Sequence, residues 1–110
     1  MAKVQVGSES LPVKFDFSSI EWFEEQSGRD FLPAIAQHLG VRTVTWLLTA
    51  GLRSTHPQPF SYEQVKQKLN AHLAGGGSFG TVVKSLMAAL KEDGMTAERA
   101  EETRPTASGS

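Results

Sequence analysis

His38, His56 and His72 are the residues best suited to metal or acid–base chemistry in this chain of 110 residues. A metal site needs its donors gathered, as in the HxxxH or HExxH spacing that puts two imidazoles on one helix face. Here the three histidines lie far apart, with no second ligand at such a spacing. His38 falls near a helix C-terminus, where a cationic ring suits the dipole, and His56 falls in a loop. Paired carboxylates would serve acid–base work, but Glu24 and Glu25 are adjacent and splay apart on a helix. Serines are frequent, yet none stands in a nucleophile elbow. The absence of cysteine excludes disulfides, thiolate ligands and cysteine nucleophiles together. The run Gly75-Gly76-Gly77 has neither the GxxxxGK(S/T) pattern nor a strand leading into it, so it reads as a break, not a phosphate loop. The expectation is a protein that is not an enzyme, binds no metal or cofactor, and works by surface and shape.

Composition sets the frame for that surface. Hydrophobic residues make up 39% and charged residues 21%, an ordinary balance for one small globular domain. The net charge of −1 supplies no basic field for nucleic acid or an anionic membrane. No stretch approaches the roughly 20 apolar residues of a membrane span, and the N-terminus has no signal-like apolar core. A cytoplasmic location follows as an expectation. Charge is uneven: residues 18–40 sum to −3 and residues 41–74 to +3. Solvated helix faces would explain this, and so would complementary patches that orient subunits or partners.

The elements that must carry such a surface read as follows. Residues 2–6 and 11–17 alternate in character around a polar link at 7–10, which suggests a hairpin, with Pro12 at an edge or just before its strand. A first helix starts at Ser18 or Ser19, with Ser18 and Glu21 as a capping box, and stops at Gly28. A short second helix follows, capped by Asp30 and ended by Gly40. The third, from about Val41 to Leu52, is apolar on so many sides that it should be central. Gly51 within it marks a close crossing or a frayed end. Pro57 and Pro59 forbid helix in the next link. Ser61 and Gln64 box the fourth helix, which points Tyr62, Val65, Leu69 and Leu73 inward. Ser78 caps the fifth, with Phe79, Val82, Val83, Leu86, Met87 and Leu90 as its apolar stripe and Gly94 as its end. From Met95 the composition turns polar, and a disordered tail is expected. The whole is expected to be mainly α: one small bundle of about five helices over residues 1–94 with a short N-terminal β-hairpin, then a tail over 95–110.

Two functional readings attach to the third and fourth helices. As a helix–turn–helix, the fourth would offer Gln64, Lys66, Gln67, Lys68 and Asn70 to DNA. The proline-bearing link is longer than that motif's usual turn, and the chain is slightly acidic. No nucleic-acid partner is expected. As a protein-binding unit, it would use Trp46, Leu47, Arg53, Phe60, Tyr62 and Lys66. Trp22 and Trp46 are placed in or beside the core, and either becomes a partner anchor if it lies exposed.

Phe15-Asp16-Phe17, IEWFEEQSG at 20–28, VTWLLTAGLR at 44–53 and FSYEQVKQKL at 60–69 together resemble the tail assembly chaperones of long-tailed phages and their gene-transfer-agent relatives. The resemblance covers roughly residues 13–73 and has no counterpart for the glycine run, the fifth helix or the tail. It implies a small, mainly helical, non-enzymatic protein made in the cytoplasm of an infected bacterial host. Such a protein binds the tape-measure protein, keeps it soluble, helps recruit the tail-tube protein, self-associates, and is absent from the mature virion. A structural tail or connector component is the competing expectation.

Overall fold

A computed structural model describes residues 2–37 and 39–96. His38 and most of the expected tail therefore lie outside the described residues. Within them the chain is mainly α, with an N-terminal hairpin and five helices. The elements are β1 (Lys3–Val6), β2 (Glu9–Pro12), α1 (Phe17–Ser27), α2 (Phe31–Gln37), α3 (Val41–Arg53), α4 (Tyr62–Ala74) and α5 (Phe79–Glu92). β1 packs on α5, α1 and α4 flank α3, and α2 folds back on α1.

The hairpin is tighter than expected. Val6 pairs with Glu9, so the turn is Gly7-Ser8 alone and Gly7 takes φ 62°. That positive φ belongs to the primed turns whose twist matches antiparallel strands. β2 ends at Pro12 and does not run on to residue 17. The register makes Lys3–Pro12 and Gln5–Ser10 the pairs that share no ladder bond, since the Val13 N–H donates to the Ala2 carbonyl at 2.9 Å. Pro12 thus forfeits nothing. The outward N–H of Gln5 donates instead to Ser85 Oγ on α5 at 2.9 Å. Residues 13–15 stay extended but bond to helix ends. The Lys14 N–H donates to the Gly51 carbonyl at 2.9 Å, and the Phe15 N–H to Asp93 Oδ2 at 2.8 Å.

α1 begins one or two residues before the expected Ser18 or Ser19, and its cap is Asp16. The Asp16 carboxylate accepts the Ser19 N–H at 2.9 Å, while Ser19 Oγ accepts the Asp16 N–H at 2.8 Å. A serine at the third position thus does the work usually given to glutamate or glutamine. The Ser19 N–H also leads the causes that hold the Asp16 carboxyl below its ordinary value of 3.8. Gly28 ends the helix in the left-handed conformation, φ 71°. The first N–H of α2 is satisfied from α1: Phe31 donates to Glu24 Oε2 at 2.9 Å.

α3 is the centre. Thr43, Val44, Thr45 and the run 47–52 are all buried. Two of its buried hydroxyls donate within the helix, Thr45 to the Val41 carbonyl at 2.7 Å and Thr49 to that of Thr45 at 2.6 Å. Around it gather Val4, Val13, Phe15, Phe23, Val65, Leu86 and Leu90, all buried. α4 has the expected Ser61–Gln64 box, but its inward row is Val65, Leu69 and His72. Leu73, expected inside, is half exposed. The Ser78 cap of α5 is present, its Oγ accepting the Thr81 N–H. Beyond Gly94, Met95 packs against the core and its N–H donates to the Leu90 carbonyl at 2.9 Å.

Candidate partner-binding surface

α1, α3 and α4 bring three aromatic side chains to one edge of the bundle. The Trp22 and Trp46 rings meet edge to face with centroids 5.6 Å apart, and Tyr62 packs on Trp46 at 4.5 Å. All three are half buried. Arg53, exposed at the end of α3, lays its guanidinium over Trp22 at 4.5 Å. Trp22 and Arg53 also line a shallow groove of about 380 Å³ with the carboxylates of Asp16, Glu21 and Glu25. The ladder is therefore apolar along its length, with a cation at one end and acids beside it. Such rigid rings carry much contact area at small entropic cost, which suits them to hold another chain.

The six residues picked from sequence do not form one site. Trp46, Arg53 and Tyr62 come together with Trp22, which the sequence places in or beside the core and makes an anchor only if exposed. Leu47 is fully buried in the core, out of reach of a partner in the folded chain. It falls one position past Trp46, on the inward side of the helix. Phe60 belongs to a second cluster, with the His56 ring at 4.9 Å and Lys68 Nζ at 5.1 Å from its centroid. Lys66 pairs with Glu63 at 3.3 Å.

Phe60 and Lys68 line a groove of about 950 Å³ between the hairpin turn and α4. Lys68 crosses it to Glu9 at 3.0 Å. His72 lines it and is held through both ring nitrogens. The Gly7 N–H donates to its Nδ1 at 2.8 Å, so Nδ1 must present a lone pair. The proton then lies on Nε2, which donates to the Ser78 carbonyl at 2.8 Å. A side chain at Gly77 would collide with this ring. The imidazole pins the hairpin turn to the start of α5, a positioning task that accounts for its burial. Among the described residues no group of three or more His, Asp or Glu is placed to hold a metal. No described helix is long and apolar enough to cross a membrane.

Fold and surface together define a small α-helical domain, braced by a hairpin, with an aromatic ladder on one edge. Comparison with known families, with characterised proteins and with solved structures returns no match.

Proposed function

We propose that this protein is a tail assembly chaperone of a long-tailed phage. It binds the tape-measure protein and aids assembly of the tail tube without catalysis. The observation that carries the reading is the Trp22–Trp46–Tyr62 ladder with Arg53, because all four residues fall within the segments that resemble that family. A tape-measure protein is a long helical chain with exposed apolar surface. A row of half-buried rings gives such a helix a hydrophobic strip to lie on, in the helix-on-groove mode that reads apolar anchors at helical spacing. In this reading the protein acts in the cytoplasm of the infected host and leaves before the virion is complete.

Co-expression with the phage's tape-measure protein tests the proposal. The wild-type chain should co-purify with it and keep it soluble. Arg53→Glu and Tyr62→Ala should each weaken capture by about 2 kcal/mol, roughly thirtyfold in Kd, while melting stays cooperative. Undiminished capture by both variants would remove the ladder from the binding site. Recovery of the chain from purified virions at stoichiometric copy number would instead support the structural tail or connector reading.

A further inference from the structure

Four large apolar side chains stand in solvent: Phe17 (85% exposed), Leu32 (61%), Val41 (60%) and Leu73 (50%). Isolated apolar residues on a surface need no explanation, but contiguous ones rimmed by charge mark an association site. These four fall into two pairs. Phe17 and Leu32 line a groove of about 540 Å³ between α1 and α2, together with Ile20 and Phe31. Val41 and Leu73 line a smaller one, about 130 Å³, where α3, α4 and α5 meet, together with Leu69 and Phe79. The two grooves share no residue.

Their charges are opposite. The α1–α2 groove is lined by Glu21, Glu24 and Asp30 and by no cation. The α3–α4–α5 groove is lined by Lys66 and by no carboxylate, and the exposed Arg42 follows Val41. Part of the split of −3 over residues 18–40 and +3 over 41–74 therefore falls on two apolar faces, while Arg53 and Lys68 are engaged elsewhere by Trp22 and Glu9.

We propose that the α1–α2 groove of one copy of this chain receives the α3–α4–α5 face of a second copy. Phe17 and Leu32 pack against Val41 and Leu73, while Glu21 and Asp30 meet Lys66 and Arg42. Like-on-like pairing is disfavoured because it brings three carboxylates against three, or cations against cations. One oxygen of Glu24 is already committed to the Phe31 N–H, which leaves Glu21 and Asp30 to pair across the contact. The Lys66–Glu63 bond is an exposed pair, weak enough to exchange. The contact is heterologous, so each joined pair keeps one acidic and one basic face unused and grows into a ring or a short filament. This holds whether or not the protein's other partner is a tape-measure protein.

Sedimentation velocity on the full chain over a concentration series tests it. The wild type should self-associate, and Phe17→Ser or Leu73→Ser should each weaken association at least about tenfold. Both positions are exposed, and thermal melts report whether the fold is kept. Mixing the two variants is the decisive arm. One retains the face the other lacks, so the mixture should form a dimer of one copy of each that grows no further. Glu21→Lys should weaken association, and Lys66→Glu on the partner copy should restore it. A wild type that stays monomeric throughout overturns the proposal, as does a mixture that stays monomeric. Leu73→Ser alone associating like the wild type would show the acidic groove pairing with itself, and also overturns it.

Discussion

Gly51 lies in the last turn of α3, where alanine would raise helix propensity by about 1 kcal/mol. A Cβ there would stand 2.6 Å from Cζ of Phe15, a ring only 3% exposed and closed in by the core. Gly51→Ala should therefore destabilise the protein by about 1–3 kcal/mol in chemical denaturation, because overpacking outweighs propensity. From sequence, this glycine suggested a helix crossing or a frayed end. The ring that needs the space comes from residue 15, far away in the chain, and no local pattern announces it. Asp16 makes a second residue-scale case. Its folded carboxyl is held below 3.8, first by the Ser19 N–H. A group so depressed contributes stability that is present above its unfolded value and is lost as pH falls through the folded one. Wild-type melting temperature should fall as pH drops below about 4, and Asp16→Asn, which keeps the capping oxygen, should lack that component. At neutral pH, Asp16→Ala should cost about 1 kcal/mol for the lost cap.

At the scale of elements, legibility followed how local each signal was. α3 and α5 were readable almost to the residue, since their apolar stripes and flanking Ser78, Gly40 and Gly94 lie in one window. The Ser61–Gln64 box was readable for the same reason. The cap of α1 was missed because serine, not glutamate, stands at its third position. α4 shows the harder failure. Rows ending at 72 and at 73 both fit a helical period, and apolar character alone favoured Leu73. Gly7 and Ser78 decide for His72, by giving its two nitrogens opposite partners. Two neighbouring substitutions should then differ sharply. His72→Ala removes the acceptor of the Gly7 N–H and opens a void where a buried ring stood, while the Ser78 carbonyl keeps the Thr81 hydroxyl, so it should cost about 1–3 kcal/mol. Leu73→Ser should stay within about 0.5 kcal/mol of the wild type. Denaturant unfolding of the two variants measures the contrast, and a larger loss for Leu73→Ser than for His72→Ala would mean that Leu73, not His72, faces the core.

On the whole molecule the two proposed surfaces lie on different side chains. The ladder residues Trp22, Arg53, Trp46 and Tyr62 line neither of the grooves proposed to join copies. Only part of this is legible in sequence: Trp46, Arg53 and Tyr62 are binding candidates there and Trp22 an anchor only if exposed, and its exposure depends on packing across α1 and α3. Ser18 and Glu21 line both the α1–α2 groove and the one beside Trp22, but the ladder side chains themselves stand apart from the joining faces. If the two surfaces act independently, their losses should separate. Arg53→Glu with Tyr62→Ala should abolish capture of the tape-measure protein yet sediment as the wild type does. Phe17→Ser with Leu73→Ser should do the reverse, capturing the tape-measure protein as a monomer. Salt should divide them too. Exposed charges at the grooves are screened within about 10 Å at 0.1 M, so self-association should weaken as ionic strength rises. Capture on the rings rests mainly on apolar burial and should change little. A pair of titrations, pull-down and sedimentation at low and high salt, reads both. If Phe17→Ser with Leu73→Ser lost capture as completely as the ladder variants, the protein would need its assembled form to hold its partner. The grooves and the ladder would then be one continuous site spanning two copies.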